Sequence, residues 1–134
     1  MNYSDDTEGL RGARKIPAYQ SAVRLGRAVN EFTLKIYEAK QGKPEIDRLH
    51  RKANLIAAKI ASGHCLGYDQ EFLEENIRLC REAKEVSDEC EKVLSLLLEC
   101  EFETLTVLSL REMVRDVIEE VNAWIKELEN QIYS

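Results

Sequence analysis

From Leu49 to Leu94 the chain reads as two apolar seams separated by one short break, and that spacing leaves little choice of fold. Ile46, Leu49, Ala53, Ile56 and Ile60 recur at intervals of 3, 4, 3 and 4, the repeat of a helix lying along a bundle seam. The stripe ends at Gly63, seven residues intervene, and a new helical pattern opens on Glu71-Phe72-Leu73. Leu73, Asn76, Cys80, Ala83, Ser87, Cys90, Leu94 and Leu97 then keep one line, widened by Leu79, Val86 and Val93. Two long seams joined by so short a link predict a helical hairpin.

The rest of the chain supplies a helix on either side. Pro17 suits the first turn of helix one. That helix carries two stripes, Val23, Gly26, Asn30, Thr33 and Tyr37 on one and Leu25, Val29, Phe32 and Ile36 on the other. A helix apolar on two stripes is buried by more than one neighbour. Lys40-Gln41-Gly42-Lys43 interrupts the pattern, and Pro44 opens helix two, with Gly63 predicted as its left-handed cap. Asp69 is the expected N-cap of helix three, which at about 30 residues would be roughly 45 Å long. Cys100–Leu108 follows no long period. Ser109 and Glu112 form a capping-box pattern, so helix four is expected to start there. It carries Met113, Val114, Val117, Val121, Trp124, Leu128 and Ile132 to the chain terminus.

These elements predict an all-α fold, an antiparallel up-down-up-down four-helix bundle over residues 17–134. Residues 1–16 read as a flexible N-terminal tail. Its Arg11, Arg14 and Lys15 make a solvated arm or, alternatively, an arm that touches phosphate. Leu94, Leu96, Leu97 and Leu98 cover most of the circumference of helix three, more than one subunit can bury, and predict a contact between subunits.

Composition narrows the setting. No run of 18 apolar residues exists, so no membrane-spanning helix is expected. MNYSDDTEGLRG lacks the apolar core of a secretory signal, and the expected location is cytoplasmic. Four cysteines, at 65, 80, 90 and 100, are then expected to stay reduced. The last three are ten residues apart, about 80° of rotation each time on a helix, so they cannot converge on one metal and read as small apolar filler.

The net charge of −6 is unevenly spread. Residues 1–68 hold 12 Lys and Arg against 7 Asp and Glu, whereas residues 69–134 hold 7 against 18. Such asymmetry can steer basic helices against acidic ones and leaves a basic surface on an acidic protein. Arg48, Lys52 and Lys59 share the outward face of helix two, with Arg51 beside them, and are the candidate binding face. The long-range field of the whole molecule opposes strong nucleic-acid binding.

The residues around Gly63 resemble the bacterial four helix bundle protein family, which includes proteins encoded within 23S rRNA intervening sequences. The accessory proteins of diversity-generating retroelements are its relatives. Leu49, Arg51, Ala53, Ile56, Ile60, Ala61 and Gly63 fall on positions of the family's hallmark, and seven residues then precede Glu71-Phe72-Leu73. Ala83, Glu89 and Leu94 match its later segment. Arg48, Leu55, Ala57, Lys59 and Ser62 stand where the family has glutamine, serine, proline, asparagine and glutamate, so this chain resembles a divergent member. The resemblance implies a homopentameric ring and, in the retroelement branch, contact with a reverse transcriptase and nucleic acid.

Other chemistry finds weaker patterns. Asp47-x-x-His50 gives one carboxylate–histidine pair where a di-iron bundle needs two such pairs and two further carboxylates. Glu71-x-x-Glu74-Glu75 and Glu85-x-x-Asp88 are similar to the magnesium-holding carboxylates of all-α nucleotide pyrophosphohydrolases, but here both sets fall on one helix. His64-Cys65 lacks a placed orienting acid, and no G-x-S-x-G occurs. Trp124 sits at a seam position, as a core residue does. The expectation is a non-enzymatic oligomeric scaffold or binding module, with no catalytic residue, metal or cofactor. Its expected partners are further copies of itself (a pentamer favoured) and RNA, DNA or a reverse transcriptase. The alternative is a magnesium-dependent nucleotide pyrophosphohydrolase.

Overall fold

The computed structural model describes residues 12–132. Among them the secondary structure is helical, with four long helices: α1 (Pro17–Glu38), α2 (Pro44–Leu66), α3 (Gln70–Glu99) and α4 (Thr104–Ile132). Each packs on its neighbour in the chain, and α4 packs back on α1, so the four enclose one core.

The seams read from sequence are the core. Ile46, Leu49, Ala53, Ile56 and Ile60 of α2 are all fully buried, as are Leu73, Asn76, Cys80, Ala83, Ser87, Cys90 and Leu94 of α3. In α1 the Leu25, Val29, Phe32 and Ile36 stripe is buried throughout. The other α1 stripe is buried only at Gly26 and Thr33, while Asn30 and Tyr37 are exposed. Buried hydroxyls are satisfied within their own helices: Thr33 Oγ1 donates to Val29 O at 2.6 Å, and Ser87 Oγ to Ala83 O at 2.8 Å.

Three expectations require correction. Gly63 does not cap α2. The helix continues to Leu66, and the left-handed residue is Gly67 at φ 97°. Gly63 is instead buried against α3, where an added Cβ would lie 2.5 Å from Asn76 Oδ1 and 3.1 Å from Asn76 O. Its role is close approach of two backbones.

The second correction concerns α4, which begins at Thr104, so Ser109 lies inside the helix rather than at its cap. The seam extends upstream through the buried Val107 and Leu110, and further along it is Ile125 that is buried while Trp124 is half-buried. Burial of that longer stripe outweighs a local capping pattern. The third concerns the tail. Residues 12–13 form a helical turn, and Ala13 and Ile16 are buried, so residues 12–16 belong to the packed body. Arg11 and the rest of the tail lie outside the described residues.

The turns are built differently. After α1, Lys40 N–H donates to Tyr37 O and Gln41 N–H to Ile36 O, both at 3.0 Å. After α3, Glu101 N–H donates to Leu98 O and Phe102 N–H to Leu97 O, again at 3.0 Å. Both are Schellman closures, which place one residue in the left-handed region. Glycine is usual there, but here the residues are Lys40 (φ 57°) and Glu101 (φ 53°). Phe102 then packs edge-on against Phe32 with ring centroids 6.5 Å apart, and Lys43 Nζ lies 4.7 Å from the centre of the Phe102 ring. At the start of α3, Asp69 occupies the cap position through its backbone. Its carbonyl accepts from Phe72 and Leu73 N–H at 2.9 Å, with no side-chain cap bond.

Candidate functional site

The α2 stripe that buries Leu49, Ala53, Ile56 and Ile60 turns Arg48, Arg51, Lys52 and Lys59 away from the core. Their partners divide them. Lys52 Nζ lies 2.8 Å from Glu89 Oε2 and Lys59 Nζ 2.9 Å from Glu82 Oε1, both carboxylates of α3. The hydrogen bond from Lys59, with Arg78 adding its charge, holds the Glu82 carboxyl below the usual range. Arg48 and Arg51 are exposed and form no ion pair among the described residues. The face read as uniformly basic is thus half neutralised by the acidic flank across from it.

Between α2 and α3 runs an open groove with Leu55, Val93 and Leu96 at its floor and Arg48, Arg51 and Lys92 along its edges. Leu55 and Leu96 are 38% and 45% exposed. Two more exposed leucines, Leu105 and Leu108, stand on the first turns of α4.

A second basic surface lies along α1, where the sequence offered only the preceding tail, Arg14 included, as an arm that could touch phosphate. Arg14, Arg24 and Arg27 surround a shallow concavity with Tyr19 and Gln20. Gln20 Nε2 donates to Arg14 O at 2.7 Å, which folds the segment before α1 onto the helix. Arg24 donates to Ser21 Oγ at 3.2 Å, and none of the three arginines has an ion pair among the described residues. The signal was present in the chain: residues 9–30 contain Arg11, Arg14, Lys15, Arg24 and Arg27 and no carboxylate.

The residues considered for other chemistry are dispersed. Asp47 accepts a hydrogen bond from the Tyr37 hydroxyl, which raises the Tyr37 pKa and ties α2 to α1, while His50 is exposed. Glu71, Glu74, Glu75, Glu85 and Asp88 all lie on α3. Of these, Glu75 is bonded by Arg78, and Asp88 accepts from Lys84 at 3.2 Å. Among the described residues no group of three or more His, Cys, Asp or Glu could hold a metal ion.

All four cysteines are free. Cys80 and Cys90 are buried, and burial pushes their thiols up to about 11 and about 12, so they pack as small apolar groups. Cys65 and Cys100 are exposed, so Cys100 does not fit the filler reading.

Trp124 joins an aromatic cluster at the end of α2. Its ring meets Tyr68 edge-on at 6.2 Å between centroids, and Tyr68 meets His64 at 5.5 Å. The Tyr68 hydroxyl is also hydrogen-bonded to His64 Nδ1. Burial pushes the Tyr68 hydroxyl up to about 12 and lowers the His64 pKa, so both stay neutral at ordinary pH. No helix among the described residues is long and apolar enough to cross a membrane.

Compared with known proteins, the chain matches no family model, none of the curated proteins and no solved structure.

Proposed function

We propose that this chain is a non-enzymatic, oligomeric four-helix scaffold that takes an anionic partner, the backbone of RNA or DNA, on its α1–α2 side. The observation that carries the reading is the set of arginines without carboxylate partners: Arg14, Arg24 and Arg27 on one helix side, Arg48 and Arg51 on the other. Guanidinium groups bind phosphate oxygens bidentately, and free ones bind without first giving up an internal partner. Lys52 and Lys59 contribute less, because each would have to leave a glutamate. The net charge of −6 makes such binding weak and salt-sensitive. The family resemblance around Gly63 supports the same partner class, with a reverse transcriptase as a protein that would bring it, and favours a pentamer.

We infer also that the helices run up-down-up-down. Partner numbers fall along one helix as they rise along the next: Asn30 with Asn54 and Tyr37 with Asp47, then Lys52 with Glu89 and Lys59 with Glu82. Arg81 with Glu129 and Glu91 with Arg115 repeat the pattern between α3 and α4.

The test is fluorescence anisotropy of a labelled single-stranded RNA. Arg24→Glu with Arg27→Glu should weaken binding about tenfold or more and flatten the dependence on salt by about one unit of slope for each phosphate neutralisation removed. Circular dichroism should be unchanged, and Lys52→Gln should have a smaller effect. Binding that ignores the double reversal removes the α1–α2 side as the contact.

A further inference from the structure

We propose that the corner joining α3 to α4 docks into the α2–α3 groove of a second copy of this chain, head to tail. The inference rests on the oligomeric reading above and names the surfaces that would carry it; it takes Arg48 and Arg51 into the contact between copies and leaves the anionic partner to Arg14, Arg24 and Arg27 in the assembly. The groove encloses about 540 Å3. Its floor is apolar at Leu55, Val93 and Leu96, and Arg48, Arg51 and Lys92 stand at its edge without an ion pair among the described residues. Glu89 also lines the groove but is held by Lys52 at 2.8 Å, so the charge left unpaired around the apolar floor is positive, as at an interface before its partner arrives.

The corner has the complementary chemistry. Leu105 is 85% exposed, the highest of the exposed large apolar side chains described, and Leu108 is 38% exposed. Leu108 and Glu112 lie on the same face of α4 as Leu105, three and seven residues further on, the spacing of helical neighbours. Glu101 and Glu103 stand just ahead, and none of the three glutamates has an ion pair among the described residues. The shape is fixed before contact: Glu101 and Glu103 sit at φ 53° and 46°, and Phe102 between them is anchored on Phe32. A rigid corner loses little freedom on docking.

Charge decides the geometry of the contact. Corner against corner would set glutamate against glutamate, and groove against groove would set arginine against arginine. Corner into groove sets leucine on leucine and carboxylate on guanidinium. The groove lies between α2 and α3 and the corner joins α3 to α4, so one copy's corner in the next copy's groove leaves a corner and a groove free at the ends, and the contact propagates into a closed ring or a filament.

The experiment is light scattering on the full chain with Leu105→Glu and Leu96→Glu. Wild type is expected to weigh several protomers, and each variant to fall to one protomer of 15.4 kDa with unchanged helicity. Leu105→Glu keeps its groove and Leu96→Glu keeps its corner, so an equimolar mixture should recover a two-protomer species. Reversing Glu103 and Glu112 to Arg in one chain, and Arg48 and Lys92 to Glu in another, repeats the test without touching a leucine. Each reversed chain should be monomeric alone, and the two should assemble with each other when mixed. A wild-type multimer whose mass ignores all of these changes overturns this contact and leaves the oligomeric reading standing. Monomeric variants that do not pair on mixing overturn the head-to-tail arrangement. A wild-type monomer at high concentration overturns the contact and the oligomeric reading together.

Discussion

The turn between α2 and α3 has one closing backbone bond, Gly67 N–H to His64 O at 3.1 Å, and is otherwise packed by side chains, whereas the turn between α3 and α4 is closed by backbone. In the first, Asn76 is fully buried, and its Nδ2 reaches back to Gly67 O at 3.1 Å while its own backbone lies against Gly63. His64, Tyr68 and Trp124 pack edge-on to one another beside it. In the second, two backbone bonds of 3.0 Å hold a left-handed glutamate, only Phe102 faces inward, and leucines point to water. A turn packed by side chains tolerates little change. One held by backbone leaves its side chains available for other contacts, at the cost of strain where a residue with a Cβ sits at positive φ.

Breaking the packed turn should give the largest effect. Gly63→Ala forces a methyl into Asn76, which is fully buried and hydrogen-bonded and has little room to yield. Urea unfolding should show a loss of about 3 kcal/mol, the upper end of overpacking costs. Asn76→Ala should cost about 2 kcal/mol by leaving the Gly67 carbonyl and the end of α2 without that donor. The double variant should lose less than the sum of the two, because the methyl then meets a smaller neighbour. Full additivity would mean that Gly63 and Asn76 do not act as one unit.

The backbone-closed turn should respond in the opposite direction. Glu101→Gly relieves a left-handed residue and should raise the midpoint of thermal unfolding, by about 1 kcal/mol in stability. Destabilisation would show that the Glu101 side chain makes a contact that outweighs the strain.

The smallest effect expected is a pH dependence from the packed turn. Burial lowers the His64 pKa, so the unfolded chain binds its proton more readily. That contribution to stability is complete above the unfolded value near 6.5 and is lost as pH falls from there toward the lower folded value. His64→Gln should flatten this part of the profile, as read by unfolding midpoints between pH 5 and 7. A slope that survives the substitution would place its source elsewhere.

The seams were legible because burial and helical repeat impose the same spacing. Ile46 through Ile60, and Leu73 through Leu94, are buried as their intervals require. Gly63 was misread because a glycine at the end of a seam has two uses, cap or close approach. Only its neighbour across the turn, Asn76, thirteen residues on, tells them apart. Ser109 and Glu112 form a capping pattern that a longer apolar stripe overrides through Val107 and Leu110. On the candidate face, the positions of Arg48, Arg51, Lys52 and Lys59 followed from the helix, but their pairing did not. Which glutamates of α3 face across depends on how the two helices are set side by side. The arginines of α1 were visible as a carboxylate-free run, and their gathering around Tyr19 and Gln20 required the fold of residues 12–16.

The hollow at Gly63 and the amide that fills it also settle a question the apolar seams leave open. Two rods whose greasy sides repeat every seven residues could slide past each other by two turns and still match. One missing side chain opposite one buried polar group occurs at a single offset. The Gly63–Asn76 pair therefore works like a key in a slot, selecting one alignment of α2 on α3 among several of similar apolar fit.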